Sequence, residues 1–365
     1  MAGAIVIGAG IGGLAAGVAL RRRGWEVTVL ERAEALEEVG AGLAIAPNAL
    51  RALDVLGLGD RLRKLAALQG AAGIRRPDGR WISRTDAAAA EIRYGEPTIV
   101  VHRAALVTLL AGALRPGTLR LGEPAAVVDA AAGRVVTPGG DLTADLVVAA
   151  DGIGSAVRGK LFPDHPRPRY TGVTSWRFVV PPPNAPLVPA ETWGGGRIFG
   201  AVGMGDGRTY CYATAPAPEG STADLAPHFA GWHAPIPQLI AAAGTVIQTD
   251  IRCLERPLPR FHEGRTVLLG DAAHAMTPNL GQGACQALED AVVLAAYAGD
   301  LARYSAERAP RAAAVAAASR RIARLAALRG PAASVRDVAM TLAGRLGPDL
   351  VLRQTDPVFA WRPPA

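Results

Sequence analysis

The chain has 365 residues, half of them hydrophobic and 19% charged, with a formal net charge of +7. This length and composition predict a globular protein of two or three domains and exclude a disordered or low-complexity chain. The basic residues are scattered without interleaved aromatic residues, the three cysteines are far apart, and no apolar stretch reaches 18 residues. We therefore expect no nucleic-acid-binding surface, no disulfide framework, no metal site and no membrane span.

The N-terminal segment has the pattern of a nucleotide-binding βαβ unit. It begins with an apolar strand (residues 4–7) and a glycine loop, in which Gly8, Gly10 and Gly13 surround Ile11. A helix (residues 14–23), a second strand (residues 25–30) and the acidic residue Glu31 follow. The glycines allow a tight turn, a close approach to a pyrophosphate and close helix–strand packing. Amides at the helix start favour phosphate, and Glu31 is placed to accept hydrogen bonds from an adenosine ribose.

The next stretch predicts a mixture of short elements. A loop over residues 40–48 precedes a helix from about Ala49, with Asn48 as its cap. Residues 70–85 are typical of a hairpin that turns at residues 77–79, and an apolar stripe indicates a helix that begins near His102. Residues 118–138 predict a small antiparallel insert, and residues 146–150 a buried strand that leads into Asp151 and Gly152.

The pattern changes after Pro163. Residues 170–252 alternate like the strands of an antiparallel sheet, with helices near 222–230 and 235–243. A buried strand over 266–269 then leads to Gly270 and Asp271. From Gly283 to about Leu328 we expect helices broken near Asp300 and Pro310, then an arginine-bearing helix and a proline-rich tail.

Two later segments complete the predicted nucleotide site. Asp151 and Gly152 follow a buried strand, so Asp151 suits backbone amides, ribose hydroxyls or an ordered water, or else the N-cap of the helix near Ser155. Asp271 also ends a strand and suits a ribityl hydroxyl. The glycine-lined loop formed by Pro278, Gly281, Gln282 and Gly283 begins a helix, and its amides could stabilise negative charge on a reduced flavin.

With these motifs the chain resembles the single-component (class A) FAD-dependent aromatic monooxygenases, the para-hydroxybenzoate and salicylate hydroxylase group. The resemblance covers most of residues 1 to about 300 and includes Arg158 after Asp151–Gly152, and Gly270-Asp271-Ala272-Ala273-His274. It implies that FAD is also contacted by Arg32, Ala44, Arg103 and Val127. It further implies that NADH or NADPH reduces the flavin and that O2 then forms a C4a-hydroperoxyflavin, which hydroxylates a small aromatic or heteroaromatic ring.

The predicted fold class is α/β, with a discontinuous Rossmann-like FAD-binding domain, an inserted antiparallel-sheet substrate domain and C-terminal helices. The FAD-binding domain is predicted to consist of residues 1–72, 98–168 and 258–300. The substrate domain is predicted from residues 73–97 and 169–257, and the C-terminal segment from residues 301–365.

Candidates for the substrate pocket come from the sheet layer and the flavin loop. Arg197 could pair with an anionic group of the substrate, Tyr210 could orient a ring hydroxyl or carbonyl, and Asn279 could face the reacting ring. Each could instead have an ordinary packing or surface role. Trp176, Arg177, Trp193 and Tyr212 are further pocket candidates, and His274 is expected to be structural.

Two other functions stay open on the sequence. One is a flavin-dependent epoxidase or reductase of a prenyl-type substrate, and the other is a flavin-binding protein without turnover. The pattern of cysteines indicates the cytoplasm. We expect a small aromatic substrate, O2 and NAD(P)H as reaction partners, and a monomer or homodimer.

Overall fold

A computed structural model describes residues 1–36, 41–64, 71–184, 186–345, 352–353 and 355–364. Gly40 of the predicted loop and parts of the C-terminal segment lie outside these residues. The helices are α1 (Ile11–Arg22), α2 (Pro47–Val55), α3 (Gly59–Arg63), α4 (Ala87–Tyr94), α5 (Arg103–Ala111), α6 (Ala156–Leu161), α7 (Ile236–Ala241), α8 (Asp271–His274), α9 (Gly283–Ala296), α10 (Leu301–Ala326), α11 (Gly330–Arg345) and α12 (Asp356–Phe359).

Among the described residues the strands fall into four sheets. They are β1 (Gly3–Ile7), β2 (Glu26–Leu30), β3 (Gly42–Ile45), β4 (Ala71–Arg75), β5 (Trp81–Asp86), β6 (Ile99–His102), β7 (Leu119–Arg120), β8 (Ala126–Asp129), β9 (Arg134–Thr137), β10 (Gly140–Thr143), β11 (Leu146–Ala149), β12 (Arg169–Val180), β13 (Ala190–Gly194), β14 (Arg197–Gly203), β15 (Thr209–Pro216), β16 (Ile247–Cys253), β17 (His262–Glu263) and β18 (Thr266–Leu268).

The first sheet contains the strands that were predicted to form the nucleotide-binding layer. Among the described residues its order is β17-β18-β11-β1-β2-β7, and all neighbours are parallel except β17 and β18. The strands β1, β11 and β18 come from three distant parts of the chain, and each is an apolar run buried on both faces. Their carboxyl ends lie at one edge of the sheet, so the three predicted nucleotide segments converge there.

The second large sheet has the order β16-β12-β15-β14-β13-β4-β5 within the described part of the chain. Its neighbours are antiparallel except β13 and β4. One face packs on a core that includes Trp176, Phe178 and Phe199, and this core is closed by residues 225–239. The predicted α/β class with a second, antiparallel layer is confirmed. We retain the predicted domain boundaries as a proposal, which the membership of β4 and β5 in this sheet supports.

Three local predictions were wrong. Part of the predicted loop over 40–48 is strand β3, which pairs antiparallel with β6. Asn48 does not cap α2, because the helix begins at Pro47 and the buried Asn48 side chain donates to Gln282 and Glu289 instead. Pro310 does not break the helix, since α10 continues through it to Ala326. Loss of one backbone hydrogen bond at Pro310 is tolerated because packing stabilises this helix.

Candidate FAD and substrate site

The glycine loop after β1 fits the close approach of a diphosphate. Gly8 has φ +102°, and a Cβ at Gly13 would lie 1.9 Å from the carbonyl oxygen of Gly8. Only glycine can occupy such a position, since that distance is far inside van der Waals contact. Helix α1 starts at Ile11 with Gly10 as its N-cap and without a side-chain cap among the described residues. Its first amides therefore point toward the space where the pyrophosphate is expected.

The carboxylate of Glu31 lies beside this loop at the end of β2. It accepts hydrogen bonds from the backbone N–H of Ala9 at 2.7 Å and of Ala33 at 3.0 Å. These two bonds hold Glu31 against the loop and leave each oxygen a further lone pair for a ribose hydroxyl. The neighbouring Arg32 side chain is exposed.

Arg158 joins the second and third predicted segments. Its guanidinium is buried and donates to the carbonyl oxygens of Ile153 at 2.6 Å and Ala272 at 2.9 Å. Burial lowers the pKa of Arg158 below its ordinary value, although the charges of Asp151 and Asp271 act in the opposite direction. One cation thereby links the loop after β11 to the turn after β18, at the sheet edge where the glycine loop also lies.

The two aspartates have different surroundings. Asp151 Oδ2 accepts weakly from Val157 N at 3.3 Å, and its buried Oδ1 has no partner among the described residues. The predicted alternative, an N-cap of α6, is filled by Ser155, which accepts from Arg158 N. Asp271 is exposed, and its Oδ1 lies 4.0 Å from where a Cβ of Gly283 would stand. An orphaned carboxylate oxygen and an exposed carboxylate at this edge fit the hydroxyl groups of FAD.

The predicted flavin loop is a 3-10 turn, Pro278–Leu280, followed by Gly281 in the left-handed region and by the start of α9. Asn279 lies in this turn. A Cβ at Gly281 would lie 3.8 Å from the Cβ of Ala44 in β3, so the loop and β3 stand side by side. The side chain of Gln282 turns inward, where its Oε1 accepts from Asn48 Nδ2 at 3.0 Å. Any contact of Gln282 with FAD would therefore be through its backbone.

The other implied FAD contacts lie on neighbouring elements. Arg103 is exposed at the start of α5, and Val127 is buried in β8, where its carbonyl oxygen accepts from Lys160. Their roles toward FAD stay predictions.

The substrate candidates of the sheet layer separate onto its two faces. Tyr210 and Tyr212 share one face, with ring centroids 5.6 Å apart. A Cβ at Gly42 of β3 would lie 2.2 Å from the Tyr210 ring, so this face is turned toward the flavin loop. Burial raises the pKa of Tyr210 to about 12, which keeps the phenol neutral. Arg177 is directly opposite Tyr212 in the register of β12 and β15, so it lies on the same face.

The structure does not bring Arg197 to this face. In β14 Arg197 is two residues before Phe199, so both side chains point to the same face, and Phe199 lies in the core on the opposite side of the sheet. Its guanidinium donates to the carbonyl oxygen of His228 and lies 5.7 Å from the Trp232 ring. The prediction that Arg197 pairs with the substrate beside the flavin was therefore wrong, because strand alternation points the side chain away. Trp176 is in the same remote core.

A buried ionic network lies under the flavin loop, and sequence reasoning missed it. Arg308 donates to Glu289 at 2.5 Å and to Asp290 at 2.6 Å, while Asp290 also accepts from Gly270 N at 2.9 Å and His274 Nε2 at 2.6 Å. Asn48, Gln282, Gln286 and Arg311 complete this network. The sequence did contain a signal for this network: Glu289 and Asp290 are adjacent acidic residues inside the apolar run of α9, and buried carboxylates require partners. The structural role expected of His274 agrees with this placement.

Comparisons with known proteins agree with this geometry. The family model described as "FAD binding domain" matches residues 1–184 and 248–319. Aurachin C monooxygenase/isomerase of Stigmatella aurantiaca is 43% identical over 87% of this chain and 88% of its own length. The FAD-dependent urate hydroxylase of Klebsiella pneumoniae is 34% identical over 84% of this chain and 86% of its own length.

Solved structures give the same result. The crystal structure of Klebsiella pneumoniae HpxO complexed with FAD and uric acid has a TM-score of 0.90 and 29% identity, over 98% of this chain and 97% of that one. A salicylate hydroxylase substrate complex, at 24% identity and a TM-score of 0.79, covers 100% of this chain and 98% of its own and shows the shared fold. No described helix is long and apolar enough to cross a membrane. With its predicted FAD-binding segments assembled at one sheet edge, the chain belongs to the class A FAD-dependent aromatic monooxygenases.

Proposed function

We propose that this protein uses NAD(P)H and O2 to hydroxylate a small aromatic or heteroaromatic ring that binds between the flavin loop and the sheet. The observation that carries the proposal is the packing of Tyr210 against Gly42. A Cβ at Gly42 would fall 2.2 Å from that ring, and β3 also passes beside Gly281 of the flavin loop. The tyrosine-bearing sheet face and the flavin loop therefore border one space.

Bound FAD would supply the oxygen-transfer chemistry, and the protein's residues would bind and orient the substrate. Tyr210 is a neutral phenol and can donate to or accept from a ring substituent. Arg177 lies on the same face, and its buried Nε has no partner among the described residues, so it can bind an anionic or carbonyl oxygen. We retain Asn279, in the turn before Gly281, as a residue that faces the reacting ring.

The substrate class follows from this polar set. Urate, 6-hydroxynicotinate and 3-amino-4-hydroxybenzoate appear in the names of relatives of this chain. Each compound is a small ring with oxygen substituents and with N–H or O–H groups, which suits a pocket that combines a cation with phenols. We propose NADH or NADPH as reductant, and a monomer or homodimer in the cytoplasm, where the buried free thiols of Cys211, Cys253 and Cys285 would stay reduced.

The test is a panel of hydroxylated aromatic and heteroaromatic compounds, with NADH and NADPH oxidation and the mass of the product measured for each. We expect at least one compound to stimulate NAD(P)H oxidation and to gain one oxygen atom, which carries the label when the reaction is run under 18O2. Stimulated oxidation that yields only hydrogen peroxide would contradict hydroxylation. Oxygenation of a prenyl-type olefin alone would favour the epoxidase, and no stimulation by any compound would favour a binding protein without turnover.

A further inference from the structure

A carboxylate and a phenol form a hydrogen-bonded pair in the sheet layer, and sequence reasoning assigned the carboxylate no role. Glu191 in β13 and Tyr212 in β15 lie on either side of Gly200 in the register of β13, β14 and β15. A Cβ at Gly200 would lie 2.1 Å from Cζ of Tyr212, so the ring crosses β14 over this glycine. The Tyr212 hydroxyl reaches Glu191 Oε1 at 2.8 Å. We call Glu191 and Tyr212 the acid–phenol pair.

The hydrogen-bond donors around Glu191 define which member of the acid–phenol pair donates to the other. The indole Nε1 of Trp193 donates to Glu191 Oε2 at 2.7 Å, and an indole N–H can only donate. The carboxylate accepts this bond on one oxygen and the Tyr212 hydroxyl proton on the other. Burial raises the pKa of Glu191, although its hydrogen bonds with Trp193 and Tyr212 lower it. Burial, followed by the charge of Glu191, raises the pKa of Tyr212 well above its ordinary value, so of the two groups the phenol keeps that proton. The Tyr212 oxygen then has only lone pairs left, and it can accept but not donate.

The acid–phenol pair lies next to the proposed substrate space. The Tyr212 ring is 5.6 Å from the ring of Tyr210, which packs against Gly42 beside the flavin loop. Both members of the pair are half-buried, so part of each side chain stays accessible to a ligand. On the far side, Trp193, Ile198 and residues of α10 and α11 form an apolar wall. Tyr212 therefore lies between Tyr210 and this apolar wall.

We propose that the acid–phenol pair determines substrate specificity: the Tyr212 oxygen, its proton held by Glu191, accepts a hydrogen bond from an N–H or O–H group of the aromatic substrate. The inference rests on the proposed function and names the substrate class as rings that carry such a donor. A methylated analogue cannot make this bond and leaves the buried acceptor unsatisfied. Loss of this hydrogen bond, with a buried acceptor left unsatisfied, corresponds to about 10- to 100-fold in affinity.

The test measures binding to the FAD-loaded protein through the change in flavin absorbance, without turnover. The probes are two matched pairs: salicylate with 2-methoxybenzoate, and 6-hydroxynicotinate with its N-methyl derivative. For the wild type we expect the donor-bearing member to bind about 10- to 100-fold more tightly in at least one pair. In Tyr212→Phe this preference should fall to within about twofold. Tyr170→Phe removes another tyrosine hydroxyl of the same sheet, bonded to the Ala217 carbonyl, and should retain the preference.

Glu191→Gln separates recognition from simple packing. The glutamine oxygen would accept from Trp193, and its amide N–H would donate to Tyr212, which frees the phenol proton for the ligand. We expect the preference for donor-bearing ligands to disappear or to reverse toward the methylated member. Full preference in Tyr212→Phe, or an unchanged preference in Glu191→Gln, would overturn the proposal. Bound ligands that give the expected preference but no oxygenated product would leave it standing and contradict only the proposed function.

Discussion

The buried Arg308 stabilises both the fold and the flavin loop. Its side chain is 1% exposed and donates to Glu289, Asp290 and the Gln286 side chain over 2.5–2.8 Å. Arg308→Met would leave the two carboxylates with fewer charged partners in the interior. Removal of one member of a buried ion pair costs about 3–5 kcal/mol. Because a domain is stable by only about 5–15 kcal/mol, we expect a large fall in the free energy of unfolding.

The assay is urea unfolding of the variant at a fixed excess of FAD, followed by circular dichroism, with FAD retention measured after gel filtration. FAD retention should also fall, since Asp290 holds Gly270 N at the turn before Asp271. Arg303→Met on the same helix is the matched control. Arg303 is exposed, and its ion pair with Glu307 is long, at 3.7 Å, so its loss should change stability little. An Arg308→Met midpoint equal to that of the Arg303 variant would refute the reasoning.

Three further predictions follow from distances and charges. Gly13→Ala should abolish FAD retention, measured as the ratio of flavin to protein absorbance, while Gly159→Ala, where a Cβ meets nothing within 4 Å, should retain FAD. Arg177→Gln should weaken salicylate binding, measured by flavin difference spectra, by about 10-fold or more; an equal loss in Arg197→Gln would contradict the assignment of the two sheet faces. Burial raises the pKa of Asp290, but the charges of His274 and Arg308 outweigh it, so the pKa is lowered. The stability that Asp290 contributes is therefore present above pH about 4 and is lost as the pH falls further. The urea midpoint of Asp290→Asn should therefore change less with pH below about 4 than the midpoint of the wild type.

The FAD-binding segments were predictable because their signals are local. A glycine such as Gly13 is required by the backbone around it, and Asp151 and Asp271 each follow a buried strand directly in the sequence. The family comparisons confirmed the fold class and the cofactor that these patterns indicate. The contact residues themselves stay predictions, supported by their placement at one edge of the sheet.

The errors arose where a distant partner overrides a local preference. Asn48 is a good helix cap by residue type, but a carboxylate 241 positions away binds its side chain. Arg197 and Tyr210 are both polar residues of neighbouring strands, and only the pairing register reveals that they face opposite sides. A shift of one residue reverses the face of every side chain in a strand, so sequence alone could not separate them.

The order of short motifs along the chain was sufficient to determine that this protein binds FAD through a discontinuous α/β layer, because glycine geometry and strand-end carboxylates act within a few residues. The tertiary structure alone decided which side chains lie on the sheet face toward the flavin loop and which lie in the remote core. It also brought Glu191 to Tyr212, and Arg308 to Glu289 and Asp290, through contacts between separate strands and helices. Such pairs depend on register and packing, which no local pattern in the sequence encodes.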